Sequence, residues 1–156
     1  PVSLPVPFGV TRISVDSASA MRDEVLKRTS GADAFISVAA VSDWRPEHVS
    51  DQKIKKDGKA VTLSLTENPD ILSEVGHLSA GRPAVVIGFA AETENIISYA
   101  SKKAADLIIA NDAAHALGSE DNDAVFVTES GAEPLGPGPK SRVAEAILDR
   151  LASLLA

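Results

Sequence analysis

The chain has 156 residues, 44% of them hydrophobic, enough for one compact domain that buries most of its apolar surface and too little for two. A net charge of -7 argues against broad electrostatic adhesion to nucleic acid or an anionic membrane, so any anion site has to be local. The absence of cysteine excludes a disulfide, a thiolate nucleophile and a thiolate zinc site, and fits a reducing compartment.

No run approaches the ~20 apolar residues that a membrane helix needs. Pro1 to Pro7 lack the basic and apolar regions of a signal peptide, so a cytoplasmic protein without membrane contact is expected. Short β-branched runs then alternate with helical stretches, the pattern of a layered α/β domain on a largely parallel sheet. The first strand is expected at about Thr11–Val15, followed by a helix capped by Ser17 with Met21, Val25 and Leu26 on one face. A strand at about Asp33–Val38 leads into Ala39-Ala40-Val41-Ser42-Asp43. The alternating run Val61–Leu65 predicts a strand with one wet face, at an edge or in a hairpin with the lysine run before it.

Asn68-Pro69-Asp70 marks a helix start, with Asn as cap, Pro at the first helical position and the helix running to about Leu78. The continuous apolar runs at about Ala84–Phe89 and Leu107–Ile109 predict strands covered on both faces. Between them a helix starts near Thr93 or Glu94 and carries Ile96, Ile97 and Tyr99. After a strand at about Ala124–Thr128, Gly131-Ala132-Glu133-Pro134 reads as a turn and Gly136-Pro137-Gly138-Pro139 as a stiff connector. The last helix runs from Ser141, with Val143, Ile147, Leu151 and Leu154 on one face. The strand, glycine-rich turn and helix that normally open an α/β nucleotide-binding domain are absent, so the chain begins as if in mid-domain.

Three segments offer chemistry. Small side chains at Ala39 and Ala40, at the C-terminal end of a strand, let a flat ring or sugar approach the backbone, and Asp43 suits a ribose hydroxyl pair. The plainer alternative is that Asp43 only orders a turn beside Trp44. Lys53, Lys55, Lys56 and Lys59 concentrate positive charge in an acidic chain; a flexible ammonium can follow a phosphate during transfer, although lysine runs are commonly solvated surface. The helix start after Asn68 has free amides and a positive dipole end for an anion or a polar base edge. Farther on, Gly88-Phe89-Ala90-Ala91-Glu92-Thr93 again permits close approach, with Phe89 offering a ring face to a base.

Together Ala39–Pro46, Lys53-Ile54-Lys55-Lys56, Asn68-Pro69-Asp70-Ile71-Leu72, Gly88–Thr93 and Asn111-Asp112 resemble, in order and approximate spacing over nearly the whole chain, the bacterial phosphopantothenate-cysteine ligase domain. The resemblance implies a three-layer Rossmann-like fold, doubly wound on a mostly parallel sheet, with a flap or dimerisation arm. It also implies activation of 4'-phosphopantothenate by CTP as an acyl-cytidylate, then amide formation with cysteine.

Carried over by position, Ala39 and Ala40 border the nucleotide, Asp43 holds the ribose, and Lys53 is catalytic, neutralising the triphosphate or the developing charge. Asn68, Pro69, Asp70 and Ile71 face the nucleotide, Phe89 lies near the cytosine and Lys103 meets the triphosphate. Magnesium bridges the phosphates without a dedicated set of protein ligands. FMN belongs only to a decarboxylase domain often fused ahead of such a ligase.

Two departures qualify the match. The family's N-terminal unit, with its glycine-rich turn and an asparagine that stabilises the acyl-cytidylate, is missing, so a truncated domain that binds CTP but is incomplete for catalysis is expected. The helix before Asp106 is also about one turn short. The rivals are a short-chain oxidoreductase using the Tyr99-x-x-x-Lys103 spacing, and a non-catalytic nucleotide-binding or dimerisation module. His48, His77 and His115 show no ligand spacing, and Trp44 is expected to pack.

Overall fold

The computed structural model describes residues 4–56, 58, 60–90, 96–111 and 121–156. Lys59, the motif end Ala91-Glu92-Thr93, Glu94, Asp112, His115 and the loop from Leu117 to Glu120 lie outside the described residues, as does the side chain of Tyr99. In chain order the elements are α1 (Ala18–Thr29), β1 (Ala34–Ser37), β2 (Trp44–Pro46), β3 (Leu65–Glu67), α2 (Ile71–Gly76), β4 (Val85–Ala90), α3 (Ile96–Lys103), β5 (Leu107–Asn111), β6 (Asp121–Thr128), β7 (Gly131–Pro139) and α4 (Lys140–Leu155).

Five strands form one sheet in the order β1-β4-β5-β6-β7, parallel from β1 to β5 and antiparallel at β6 and β7. Only β6 runs against the rest, so the sheet is mostly parallel. Its centre follows from composition: Val85, Val86, Ile87, Leu107, Ile108 and Ile109 are buried, as continuous apolar strands should be when helices cover both faces. On one face Ile71, Leu72 and Val75 of α2 and Ala100 of α3 pack on the sheet, joined by Met21, Val25 and Leu26 of α1. On the other, Val143, Ile147 and Leu151 of α4 cover it, which completes the three layers.

Gly88 belongs to this packing rather than to a ligand cradle. A Cβ there would collide with side-chain carbons of Leu72 and Ile108, so the missing methyl lets α2 sit down on β4. Ser17 caps α1 as expected, its Oγ accepting from the Ala20 amide at 3.2 Å.

Four expectations need correction. Residues 11–15 form no strand: β-branched content suits a pleated surface, but without a ladder partner it does not make one. The second strand of the arm is Leu65–Glu67 rather than Val61–Leu65, and it pairs with Trp44–Pro46 instead of the lysine segment. An alternating run with no buried face leaves its register weakly specified. Gly131–Pro139 is not a turn and connector but β7, paired with β6 along its length. Its prolines are tolerated because β7 is an edge strand, where a missing donor faces no neighbour. Finally, Trp44 is 53% exposed on β2 and packs little.

Candidate functional site

The C-terminal ends of β1 and β4 converge with the start of α2 and the end of α3 around one cavity of about 640 Å³. Its wall holds Ala39 and Asp43 from the β1 exit, Asn68, Pro69, Asp70 and Ile71 from the approach to α2, Phe89 from β4 and Lys103 from α3. Residues as far apart in sequence as Ala39 and Lys103 are thus brought to one edge of the parallel sheet, where open α/β sheets bind ligands. Ala40 and Lys53 are not among the lining residues. Lys53 lies in the exposed stretch between β2 and β3, whose neighbours Val49, Ile54, Val61 and Leu63 are also exposed.

Asn68 does not cap α2. Its side-chain amide donates to the Ser42 carbonyl at 2.8 Å, its backbone amide donates to the Asp43 carbonyl at 2.7 Å, and its Oδ1 accepts from Arg45 at 3.1 Å. The Arg45 guanidinium also donates to the Glu67 carbonyl. Asn68 therefore ties the small-residue loop to the approach to α2, and Pro69 sits ahead of the helix rather than at its first position. The cap is Asp70, whose Oδ1 accepts from the Ser73 amide at 3.0 Å.

The other oxygen of Asp70 pairs with the Lys103 ammonium, so one carboxylate joins the start of α2 to the end of α3. The geometry behind Lys103 is fixed by backbone contacts. Ala104 has φ of 48°, a left-handed conformation that costs a non-glycine residue about 1 kcal/mol and ends α3 there. Gly76 has no Cβ, which would otherwise overlap the Lys103 and Ala104 carbonyls. Arg82 then donates to the carbonyls of Gly76 at 3.0 Å, Pro83 at 3.0 Å and Ala104 at 2.9 Å, and to Asp106 at 2.8 Å. Asp106 accepts from the Val86 amide at 2.6 Å, which anchors this clasp to β4.

Sequence reasoning missed Arg28 and Glu24, an i,i+4 ion pair on α1 whose members also line the cavity. The spacing was legible, but nothing in it tells a site pair from a surface pair. It missed Arg45 as a tie as well. Arg22 of α1 donates to both oxygens of Glu74 on α2, at 3.0 and 2.7 Å. The hydrogen bond to Glu74 and the negative charge of that carboxylate raise the Arg22 pKa.

The wall thus offers apolar side chains including the aromatic Phe89, carboxylates at Glu24, Asp43 and Asp70, and cations at Arg28 and Lys103. That set suits a ligand with a flat ring, a vicinal diol and a polyanionic tail.

Over residues 1–155 the chain matches the family described as the DNA/pantothenate metabolism flavoprotein C-terminal domain. It is similar to the coenzyme A biosynthesis bifunctional protein CoaBC of Vibrio vulnificus (strain YJ016), 40% identical over 164 residues that cover 99% of this chain and 41% of that protein. The CoaBC protein of Haemophilus influenzae is 47% identical over 116 residues, covering 72% of this chain and 29% of that one. The chain therefore spans at most about two fifths of the length of these relatives. A crystal structure of the C-terminal domain of CoaBC matches with a TM-score of 0.79 at 29% identity, covering 99% of this chain and 73% of that one.

Proposed function

The chain belongs to the family of DNA/pantothenate metabolism flavoprotein C-terminal domains, and from that premise we propose that it is the CTP-binding part of a phosphopantothenate-cysteine ligase in coenzyme A biosynthesis. The observation that carries the proposal is the cavity that collects Ala39, Asp43, Asn68, Pro69, Asp70, Ile71, Phe89 and Lys103 at the strand ends.

In the proposed reaction a carboxylate oxygen of 4'-phosphopantothenate attacks the α-phosphorus of CTP, and the bond to pyrophosphate breaks. The amine of cysteine then attacks the acyl carbon and expels CMP, leaving 4'-phosphopantothenoylcysteine.

Asp43 accepts the ribose hydroxyls, Ala39 gives the sugar room, and Phe89 covers the cytosine. Asn68 holds the loop and the approach to α2 in register, so that backbone groups from Asn68 to Ile71 face the base. Lys103 takes the phosphates. Lys53 neutralises the developing charge, a role that requires the arm to carry it over the cavity. A divalent cation such as magnesium would supply charge neutralisation for the triphosphate. Among the described residues no group of three or more His, Asp or Glu side chains forms a cage, while Asp43 and Asp70 stand as single carboxylates. That donor set fits a metal held chiefly by the phosphates.

The arm also carries the proposed homodimer. Trp44, Ile54, Val61, Leu63 and Leu65 are exposed along it, an apolar set that a second copy would cover. Among the described residues no helix is long and apolar enough to cross a membrane.

The test is calorimetric titration with CTP, ATP and NADPH, magnesium present. CTP heat with weaker or absent ATP and NADPH heat is expected. Preference for ATP or NADPH, or no CTP heat, would overturn the reading; NADPH preference would favour the oxidoreductase built on Tyr99 and Lys103. A Lys53→Ala variant is expected to bind CTP about tenfold more weakly. Undiminished affinity would remove Lys53 from the binding role.

A further inference from the structure

Among the described residues the cavity that would receive a polyanion is not lined chiefly by cations. The described ionisable lining comprises three carboxylates, Glu24, Asp43 and Asp70, and two cations, Arg28 and Lys103. Each cation, moreover, is engaged by a carboxylate of the same wall: Arg28 by Glu24 and Lys103 by Asp70.

The two pairs are not equivalent. Glu24 and Arg28 sit one turn apart on α1 and can move together. Asp70 is fixed at its other oxygen by the Ser73 amide, at 3.0 Å, so it cannot follow Lys103 without uncapping α2. Lys103 is held at its backbone, where Arg82 grips the next carbonyl at Ala104, but its side chain is unbranched and rotatable. The Lys103 side chain is 19% exposed and that of Asp70 is 46% exposed, so the pair stands at the cavity wall with the carboxylate on its wetter side.

We propose that Asp70 is a built-in, displaceable counter-anion for Lys103: a phosphate-bearing ligand that gains the Lys103 ammonium takes it from the Asp70 carboxylate. Asp70 acts through Lys103 and is a positioning residue, not a catalytic one. It lowers affinity for phosphates in general and reserves Lys103 for ligands whose remaining contacts offset the exchange. This inference rests on the reading of the cavity as the nucleotide site.

Asp70→Asn separates the two jobs of the carboxylate, since asparagine caps a helix about as well as aspartate but brings no negative charge to the ammonium. Calorimetric titrations of the wild type, Asp70→Asn, Lys103→Met and the double variant would use CTP, inorganic tripolyphosphate and cytidine at one fixed magnesium concentration. Thermal melting would confirm that each variant is folded.

Asp70→Asn is expected to bind CTP and tripolyphosphate about three- to fivefold more tightly, the range of a partly exposed ion pair. Cytidine binding should be unchanged, and the gain should vanish in the Lys103→Met background. An equal gain in that background would show a general field effect and overturn the proposal. Unchanged or weaker binding of CTP by Asp70→Asn would also overturn it, while leaving the CTP reading in place. Absence of CTP binding in both the wild type and Asp70→Asn would overturn both. Should Asp70→Asn fail to fold, Asp70→Ser, which keeps a capping oxygen, carries the same expectations.

Discussion

Ile87, Leu107, Ile108 and Ile109, at the middle of the sheet, are fully buried between α2 and α3 on one face and α4 on the other, whereas Ile54, Leu63 and Leu65 of the arm leave more than half of each side chain in solvent. The two regions contain similar aliphatic residues, so composition does not separate them. Neighbours do. In the sheet β4 and β5 are flanked by strands on both sides, and Ile87, Leu107, Ile108 and Ile109 lie in clusters shared with the covering helices. β2 and β3 pair with each other over three residues, and the described part of the long segment between them lies exposed. The sheet therefore carries the fold, and the arm is left free for a partner, a ligand or both.

This contrast can be broken in several places. The largest effect is expected from Leu107→Ala, which should destabilise the fold by about 2–5 kcal/mol in urea unfolding, because the buried site cannot collapse onto the cavity left behind. A cost below 1 kcal/mol would mean that the sheet centre is looser than its burial indicates. Gly88→Ala is expected to cost about 1–3 kcal/mol by forcing Leu72 or Ile108 aside, and so to move α2 and the Asp70 cap with it. It should lower melting temperature and CTP affinity together, and a neutral result would separate α2 packing from the site.

Asp106→Ala removes the acceptor for the Val86 amide and one partner of Arg82. It should cost about 1–3 kcal/mol. The smallest effect on the fold is expected in the arm: Leu63→Ser should change monomer stability by less than about 0.5 kcal/mol. The same variant should weaken self-association, visible by size-exclusion chromatography with light scattering at micromolar concentration. A wild-type chain that runs as a monomer there would contradict the arm's assigned role.

What could be read from the sequence follows the same division. The apolar runs around Ile87 and Ile108 fixed both the strands and their coverage, because continuous burial leaves a composition that a solvent-facing segment rarely shares. The Ser17 cap was legible because its chemistry is local. β7 was misread because Gly131, Pro134 and Pro137 usually punctuate; their tolerance depends on an edge position that no local pattern reports. The arm's register was likewise set by tertiary ties, from Arg45 to Glu67 and Asn68.

At the site, Asp43, Phe89 and Lys103 were singled out and do share one cavity. The role of Asn68 was misjudged, since an asparagine just ahead of a helix can cap it or reach across a loop, and only the fold decides. The Asp70–Lys103 pair joins residues 33 apart and has no local signature.

The central claim is that the cavity between the β1 exit, α2 and α3 is where the nucleotide binds. It is tested most directly by recording amide chemical shifts of the isotopically labelled chain as CTP is added with magnesium. The shifts are expected to move at Ala39, Asp43, Asn68, Ile71, Phe89 and Lys103, and to stay in place along β7 and α4. Shifts that move on the α4 face while those residues stay unchanged would contradict the account.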